Sequence, residues 1–227
     1  MKRKGLGMSE FIVDVEHSVK IPCGHIHVDG QLFIPKNASG LVLFVHGSGS
    51  SRFSVRNQAV ARILNQANIA TLLFDLFTPE EDEIDSRTGQ LRFDIEFLAS
   101  RLIEVTDWCV DHLVNLKSSI GYFGASTGGG AALVAAAKRA KVIKVVVSRG
   151  GRPDLAGESL AYVKAPTLLI VGGNDGVVIE MNQTAMSKLN CEKKLEIVAD
   201  ATHLFEEPGA LDKVAQLARA WFLRFIL

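Results

Sequence analysis

Several residue patterns that mark particular classes of protein are missing from this chain. It has only three cysteines, Cys23, Cys109 and Cys191, which lie far apart and show neither C-x-x-C nor metal-ligand spacing. Few, separated thiols are typical of a reducing compartment, so we expect a cytoplasmic protein without a disulfide framework. His25 and His27 share one face of a predicted strand, but no carboxylate or cysteine cluster joins them. We therefore expect neither a metal site nor a cofactor.

An excess of charge of one sign is also missing, because 25 basic residues are balanced by 25 acidic residues. A neutral chain gives no electrostatic reason to bind nucleic acid or an anionic membrane, and we expect neither partner. The basic residues 2–4 are followed by no apolar stretch before Glu10 and Asp14, so we expect no signal peptide. The uncharged run 120–137 contains five glycines, which argues against a membrane span.

The chain does contain a regular alternation of strand and helix patterns. Alternating apolar residues over 11–34, with Val13 and Val15 on the apolar face, predict an antiparallel hairpin. Strand-like runs then recur between amphipathic helical stretches, at residues 40–45, 69–74, 120–123, 142–147, 165–171 and 195–198. This order predicts an α/β fold over a single domain, 1–227, with a mostly parallel doubly wound sheet and an antiparallel N-terminal hairpin.

Two connections are expected to shape the surroundings of any site. Only about fourteen residues separate Gly150 from Ala165, which predicts a fold without a cap domain and a shallow, open pocket. The acidic stretch 78–90 leaves a strand end and is predicted to be a solvated loop that overhangs the pocket or simply faces solvent.

The stretch 120–130 carries the strongest functional pattern. Gly124, Ser126 and Gly128 form G-x-S-x-G between a buried strand and an alanine-rich helix, the context of a nucleophile elbow. A nucleophile on so tight a turn crowds the residues two before and two after it, and glycine fits both places. A nucleotide-binding glycine loop fits poorly, because neither G-x-G-x-x-G nor G-K-[ST] is present.

Other polar residues follow the predicted strand ends, where ligands bind on such sheets. The order Ser126, Asp175, His203 is that of a hydrolase triad, with nucleophile, orienting acid and base. Backbone amides of Thr127 and of Ser48, or of Gly49, are expected to form the oxyanion hole. Asp154 remains a rival acid. His46 is expected to shape its loop, and His112 is expected to be structural.

These motifs resemble the α/β-hydrolase superfamily, and most closely its dienelactone-hydrolase-related branch. The resemblance covers nearly the whole chain: the hairpin, His46-Gly-Ser-Gly, the elbow around Ser126, Asp175 and His203. It implies the hydrolase fold and an acyl-enzyme mechanism. Dienelactone hydrolases carry cysteine at the elbow, so the serine here points instead to a serine esterase, lactonase or thioesterase that acts on a small-molecule ester.

Alternative functions remain open at this point. A non-catalytic hydrolase-fold binding protein usually lacks a triad member, and none is missing here. A small peptidase is disfavoured because related peptidases carry an extra domain that restricts substrates. Four arginines follow strand ends or begin helices near the expected pocket, and Arg52 is the first candidate to bind a substrate carboxylate. In the alternative interpretation these arginines pair with Asp75, Asp154 or the acidic stretch. The other three are Arg56, Arg149 and Arg152.

Overall fold

The computed structural model describes residues 11–113, 116 and 119–226. The strands of this part of the chain are β1 Glu16–Cys23, β2 Ile26–Phe33, β3 Gly40–Val45, β4 Ile69–Phe74, β5 Ile120–Ala125, β6 Ile143–Arg149, β7 Thr167–Gly172 and β8 Lys193–Val198. The α-helices are α1 Val55–Gln66, α2 Pro79–Thr88, α3 Ile95–His112, α4 Thr127–Lys138, α5 Gly176–Lys188 and α6 Ala210–Phe225. Two stretches of 3-10 helix, Leu91–Phe93 and Pro153–Tyr162, complete the regular structure.

The strands form one sheet in the order β1-β2-β4-β3-β5-β6-β7-β8. Strand β2 pairs antiparallel with β1 and with β4, whereas every later neighbouring pair is parallel. The central strands β3, β4, β5 and β7 are buried along their whole length, as their uninterrupted apolar sequences predict. The predicted fold class, a mostly parallel sheet with an antiparallel N-terminal hairpin, is confirmed.

Helices cover both faces of the sheet and form two apolar layers. One layer packs α1 and α6 against the sheet through residues such as Leu64, Val214 and Phe222. The other packs α3 and α4 against the opposite face, with Leu102 and Leu133 among its buried residues. Each layer removes apolar surface from water, and the parallel strands between them need apolar side chains in both directions.

The N-terminal hairpin begins later than the sequence pattern predicts. Val13 and Val15 were expected on its apolar face, but they precede β1 and remain 40% and 46% exposed. Asp14, between them, adopts a left-handed φ of 60°, donates its N–H to Ile34 O at 2.8 Å and accepts a hydrogen bond from Lys36 N. This local turn breaks the alternation, so the strand starts only at Glu16.

The expected acidic loop over 78–90 is instead largely helical, which corrects the prediction. Thr78 caps α2: its hydroxyl accepts from Glu81 N, and the Glu81 side chain accepts from Thr78 N at 2.8 Å. Pro79 suits the first helical position, and Gly89 ends the helix in the left-handed conformation. Glu81 also pairs with the buried Arg101 of α3 at 2.9 Å, so α2 is fixed against the fold.

The connection between β6 and β7 is short, as predicted, and no cap domain stands there. Its 3-10 segment Pro153–Tyr162 buries Ala156 and Leu160 against the α3–α4 layer. Because β3, β5, β6 and β7 run parallel, their carboxyl ends lie along the same edge of the sheet. No helix in the described ranges is long and apolar enough to cross a membrane.

Candidate active site

The turn between β5 and α4 holds Ser126 in a strained backbone conformation. Its φ of 52° and ψ of −123° lie where residues with a Cβ are rarely found. The backbone is held there from both sides, because Ser126 N donates to Arg149 O at 3.3 Å and Ser126 O accepts from Arg152 N at 3.0 Å. A serine kept in this geometry presents its side chain, which is partly exposed, above the end of β5.

Close backbone packing explains both glycines of the pattern. A Cβ on Gly124 would lie 2.5 Å from Gly128 O and 2.7 Å from the Cα of Gly129. A Cβ on Gly128 would lie 2.6 Å from His46 O, at the end of the neighbouring strand. No side chain fits at such distances, so the elbow requires glycine at these two positions.

His203 and Asp175 come together at the carboxyl ends of β8 and β7. The Asp175 carboxylate accepts a hydrogen bond from His203 Nδ1 at 2.7 Å, although 28 residues separate them. This contact leaves Nε2 as the nitrogen free to work as a base. Asp175 is the more buried partner, with 17% of its side chain exposed against 39% for His203.

The loop that carries His203 lies beside the elbow turn. A Cβ on Gly150, which directly follows β6, would lie 3.5 Å from His203 Cε1. The residue before it, Arg149, accepts the Ser126 N–H through its backbone oxygen. No direct hydrogen bond joins Ser126 to His203 in the described part of the chain. Catalytic hydrogen bonds are often long before substrate binds, so this arrangement is compatible with a working pair.

The expected oxyanion-hole residues meet across the gap between two loops. Ser48 Oγ lies 3.2 Å from Thr127 Oγ1, so the loop after β3 touches the first turn of α4. Thr127 follows Ser126 directly and begins the helix, where amides have no partner within the helix itself. The two amides named from the sequence thus belong to neighbouring turns beside the serine.

His46 shapes the loop that carries Ser48. Its side chain is 3% exposed, its Nδ1 lies 2.9 Å from Gly47 O, and its Nε2 accepts from Leu76 N at 3.0 Å. Burial lowers the pKa of His46, which favours the neutral ring. Because Nε2 accepts from Leu76 N, the proton lies on Nδ1, which donates to Gly47 O. Both ring nitrogens make hydrogen bonds, so His46 joins the loops that follow β3 and β4 and has no nitrogen free to act as a base.

The rival acid has a different partner. Asp154 accepts two hydrogen bonds from the Arg152 guanidinium, at 2.9 and 2.8 Å. Asp175, by contrast, is the carboxylate that reaches His203. Of the two acids weighed from the sequence, the structure brings Asp175 to the histidine.

Arg52 is engaged by carboxylates of the protein. Asp75 accepts from its backbone N–H at 2.7 Å and from its guanidinium, and Asp29 lies 3.7 Å away. This geometry favours the ion-pairing alternative over the expected substrate contact. Arg52 also borders a cavity of about 320 Å³ whose lining includes three aspartates, Asp29, Asp75 and Asp82, so a substrate carboxylate would be repelled there.

Two other arginines stand out in the structure but not in the sequence. Arg149 is 6% exposed and Arg56 is partly exposed, and the Nε atom of each is buried without a hydrogen-bond partner among the described residues. Sequence reasoning grouped them with Arg52 by chain position alone. What distinguishes them is a buried Nε without a hydrogen-bond partner among the described residues, which only the packed structure reveals.

Comparison with known proteins gives three kinds of match. The family model described as PET hydrolase-like matches residues 11–227. A crystal structure of dienelactone hydrolase from Anabaena variabilis is 58% identical, covers 94% of this chain and 99% of its own, and superposes with a TM-score of 0.91. Est1E from Butyrivibrio proteoclasticus is 17% identical over 91% of this chain and 98% of its own, with a TM-score of 0.76, which shows the fold alone.

Curated relatives carry a different description. Two Mycobacterium tuberculosis proteins, each described as a "putative phosphoribosyl transferase", are 54% identical over 208 residues. The match covers 92% of this chain but only 46% of those proteins. The chain therefore spans less than half the length of the curated relatives, and their description refers to proteins with a further long segment.

Proposed function

The chain belongs to the PET hydrolase-like family, in the dienelactone-hydrolase-like branch of the α/β-hydrolases, and from that premise we propose that it is a serine hydrolase of small esters. The proposed triad is Ser126, His203 and Asp175. The observation that carries the proposal is the 2.7 Å hydrogen bond between His203 and Asp175 at the strand edge where the strained Ser126 turn also lies.

The proposed reaction proceeds through an acyl-enzyme. Ser126 Oγ attacks the carbonyl carbon of the ester while His203 Nε2 takes the hydroxyl proton. Asp175 keeps the imidazole in the required tautomer and stabilises its positive charge. The amides of Thr127 and Ser48 donate to the oxyanion, each such donor being worth roughly 3–4 kcal/mol in the transition state.

The same groups complete the acylation and then hydrolyse the acyl-enzyme. The protonated His203 gives its proton to the leaving oxygen, and the alcohol departs. Water then attacks the acyl carbon as His203 removes its proton. The bond between the acyl carbon and Ser126 Oγ breaks, His203 returns the proton to Oγ, and the acid is released. This scheme serves esters, lactones and thioesters alike, since all three share an acyl carbon with a leaving oxygen or sulfur.

A transferase function is not the conclusion that the site supports. The relatives with the phosphoribosyl transferase description are more than twice as long as the segment they share with this chain. A glycine loop of the nucleotide-binding kind is also missing from the sequence. This chain instead contains the histidine, aspartate and serine that suit acyl transfer to water.

Ser126 provides the direct test. Wild type and Ser126→Ala are assayed on chromogenic esters and thioesters of graded acyl length, and a fluorophosphonate probe is applied to both. We expect the probe to label Ser126 alone and the substitution to abolish turnover. Because alanine keeps the same backbone and removes only the hydroxyl, circular dichroism and thermal unfolding should match the wild type.

Two outcomes would reject parts of the proposal. Pure Ser126→Ala protein that retains the wild-type esterase rate would rule out Ser126 as the nucleophile. A wild-type protein that neither reacts with the probe nor turns over any ester would favour the non-catalytic binding protein instead.

A further inference from the structure

Arg149 is a buried cation at the end of β6. Its side chain packs on the α1 side of the sheet, where Nη2 donates to Asn57 Oδ1 at 3.2 Å. Its guanidinium carbon lies 5.9 Å from the centre of the Phe205 ring. Ser148, the residue before it, points to the opposite face and toward α4, since its Oγ would contact a Cβ on Gly129. The Arg149 guanidinium therefore lies beside Asn57 and Phe205, although the backbone oxygen of Arg149 accepts from Ser126 N.

The charge of Arg149 is not balanced locally. No carboxylate lies within 4 Å of its guanidinium in the described ranges, and only Nη2 of its three nitrogens makes a hydrogen bond there. Burial, followed by the nearby charge of Arg56, lowers its pKa to about 10. A buried cation without a counter-ion destabilises a fold, although the Phe205 ring and the Asn57 amide offset part of this.

Arg56 adds a second cation from the first turn of α1. Its Nη1 donates to Glu206 at 3.1 Å, while its Nε is buried without a partner among the described residues. Glu206 is 65% exposed and pairs with Arg56, not with Arg149. The first turn of α1 contains no acidic residue, and the positive end of the helix dipole adds to the field. The cluster of Arg56, Arg149 and Glu206 keeps a net positive charge.

We propose that Arg56 and Arg149 form a binding site for an oxyanion of the phosphate or carboxylate class. Guanidinium groups are weakly hydrated and present N–H donors in a plane, which suits bidentate contact with either anion. The anion would supply the counter-charge that Arg149 lacks and would compete with Glu206 for Arg56. Because Phe205 and Glu206 follow His203 closely, an anion there would also brace the loop that holds the histidine.

This site is independent of the proposed hydrolysis, so it is tested by binding alone. Inorganic phosphate and acetate are titrated separately into wild type, with sodium chloride at matched ionic strength as the reference. Isothermal titration calorimetry gives the dissociation constant, and the thermal midpoint gives a second reading, since a ligand of the folded state raises Tm. We expect phosphate, acetate or both to bind, and the two arms identify which anion the site prefers.

Substitutions locate the anion. Arg56→Gln should weaken binding about tenfold or more, the loss typical of one charge-assisted hydrogen bond. Glu206→Gln should strengthen binding, because it removes the competing carboxylate. Arg62→Gln is the matched control: Arg62 is exposed on the same helix and away from the cluster, so its loss should leave the dissociation constant unchanged.

The outcomes decide the proposal in either direction. Arg149→Gln should also abolish binding. Should that buried variant not fold, the variants at the partly exposed Arg56 and the exposed Glu206 keep the test valid. Phosphate and acetate that act no differently from chloride would overturn the proposal. So would binding that survives Arg56→Gln, which would place the anion elsewhere, for example at the oxyanion hole.

Discussion

At the level of single residues, the site depends on which carboxylate reaches the histidine. Asp175 and Asp154 are both acids that follow strands, and both are partly buried. Asp154 is held by Arg152 two residues earlier, which satisfies its charge within one turn. Asp175 has no arginine partner among the described residues and contacts His203 instead. The two acids therefore differ in their nearest side-chain partner, which is an arginine for Asp154 and a histidine for Asp175.

This difference predicts unequal effects for two matched substitutions. Asp175→Asn should lower kcat by about 10³- to 10⁴-fold, because an amide holds the imidazole in the wrong tautomer. Asp154→Asn should change kcat less than about tenfold, since it loosens an ion pair outside the proposed triad. Steady-state kinetics on one ester, with thermal unfolding to check the fold, measures both. A larger loss in Asp154→Asn would show that the acid is wrongly assigned.

Single residues also show where sequence reasoning reaches its limit. The sequence offered Ser126, Asp175 and His203 as candidates because each follows a predicted strand. Their order along the chain is also that of the hydrolase triad. The side-chain partners of Arg52 and Arg149 could not be predicted from the sequence. Arg52 meets Asp75, 23 residues away, and Arg149 meets Asn57, 92 residues away. Such partners depend on how loops and layers pack, and no local pattern encodes them.

At the level of elements, α2 illustrates how capping outweighs charge. Its acidic composition suggested a solvated loop, but Thr78, Pro79, Glu81 and Gly89 provide start and stop signals that satisfy the ends of the helix. Acidic residues in the first turn also interact favourably with the helix dipole. The strands were easier to predict because continuous apolar runs have no other stable place than a covered sheet.

Asp85 anchors α2 to the chain that follows it. Its buried carboxylate accepts from Leu91 N at 2.8 Å, Arg92 N at 3.0 Å and Arg92 Nε at 2.7 Å. Burial alone would raise the pKa of Asp85, but these hydrogen bonds and the charge of Arg92 outweigh it and hold the pKa below its ordinary value. The folded state therefore binds the proton less readily than the unfolded chain, so this contact stabilises the fold at neutral pH and is lost on acidification.

The sign of this shift gives a test at the element scale. Asp85→Asn should be less stable than wild type at pH 7, and the difference should shrink as pH falls below about 5, where the ordinary carboxyl begins to protonate. Urea unfolding between pH 7 and about 2.5 measures the gap, because most of the loss falls below the ordinary carboxyl pKa. Glu83→Gln, an exposed position on the same helix, is the control and should show little difference at any pH. A constant gap for Asp85→Asn would mean that packing, rather than charge, fixes α2.

At the level of the whole molecule, two apolar layers enclose one sheet, and the antiparallel hairpin extends that sheet at one edge. The centre is covered by helices on both faces, whereas β1 is an edge strand paired with β2 alone. Edge elements commonly open at lower free energy than the centre of a fold. The three cysteines are distributed so that each reports on a different depth of this structure.

Thiol labelling in the native protein should follow that order. Cys191 is partly exposed and should react first. Cys23, in β1, is buried, and burial, with the Glu104 charge, raises its pKa to about 12, so little thiolate forms until the hairpin opens. Cys109, in α3, is fully buried, and burial raises its pKa further, so it should react only on global unfolding. Timed alkylation read by mass spectrometry, compared with the unfolding rate in denaturant, measures all three. Equal rates for Cys23 and Cys109 would mean that hairpin and core unfold as one unit, and Cys109 reacting before Cys23 would contradict the layered order of stability.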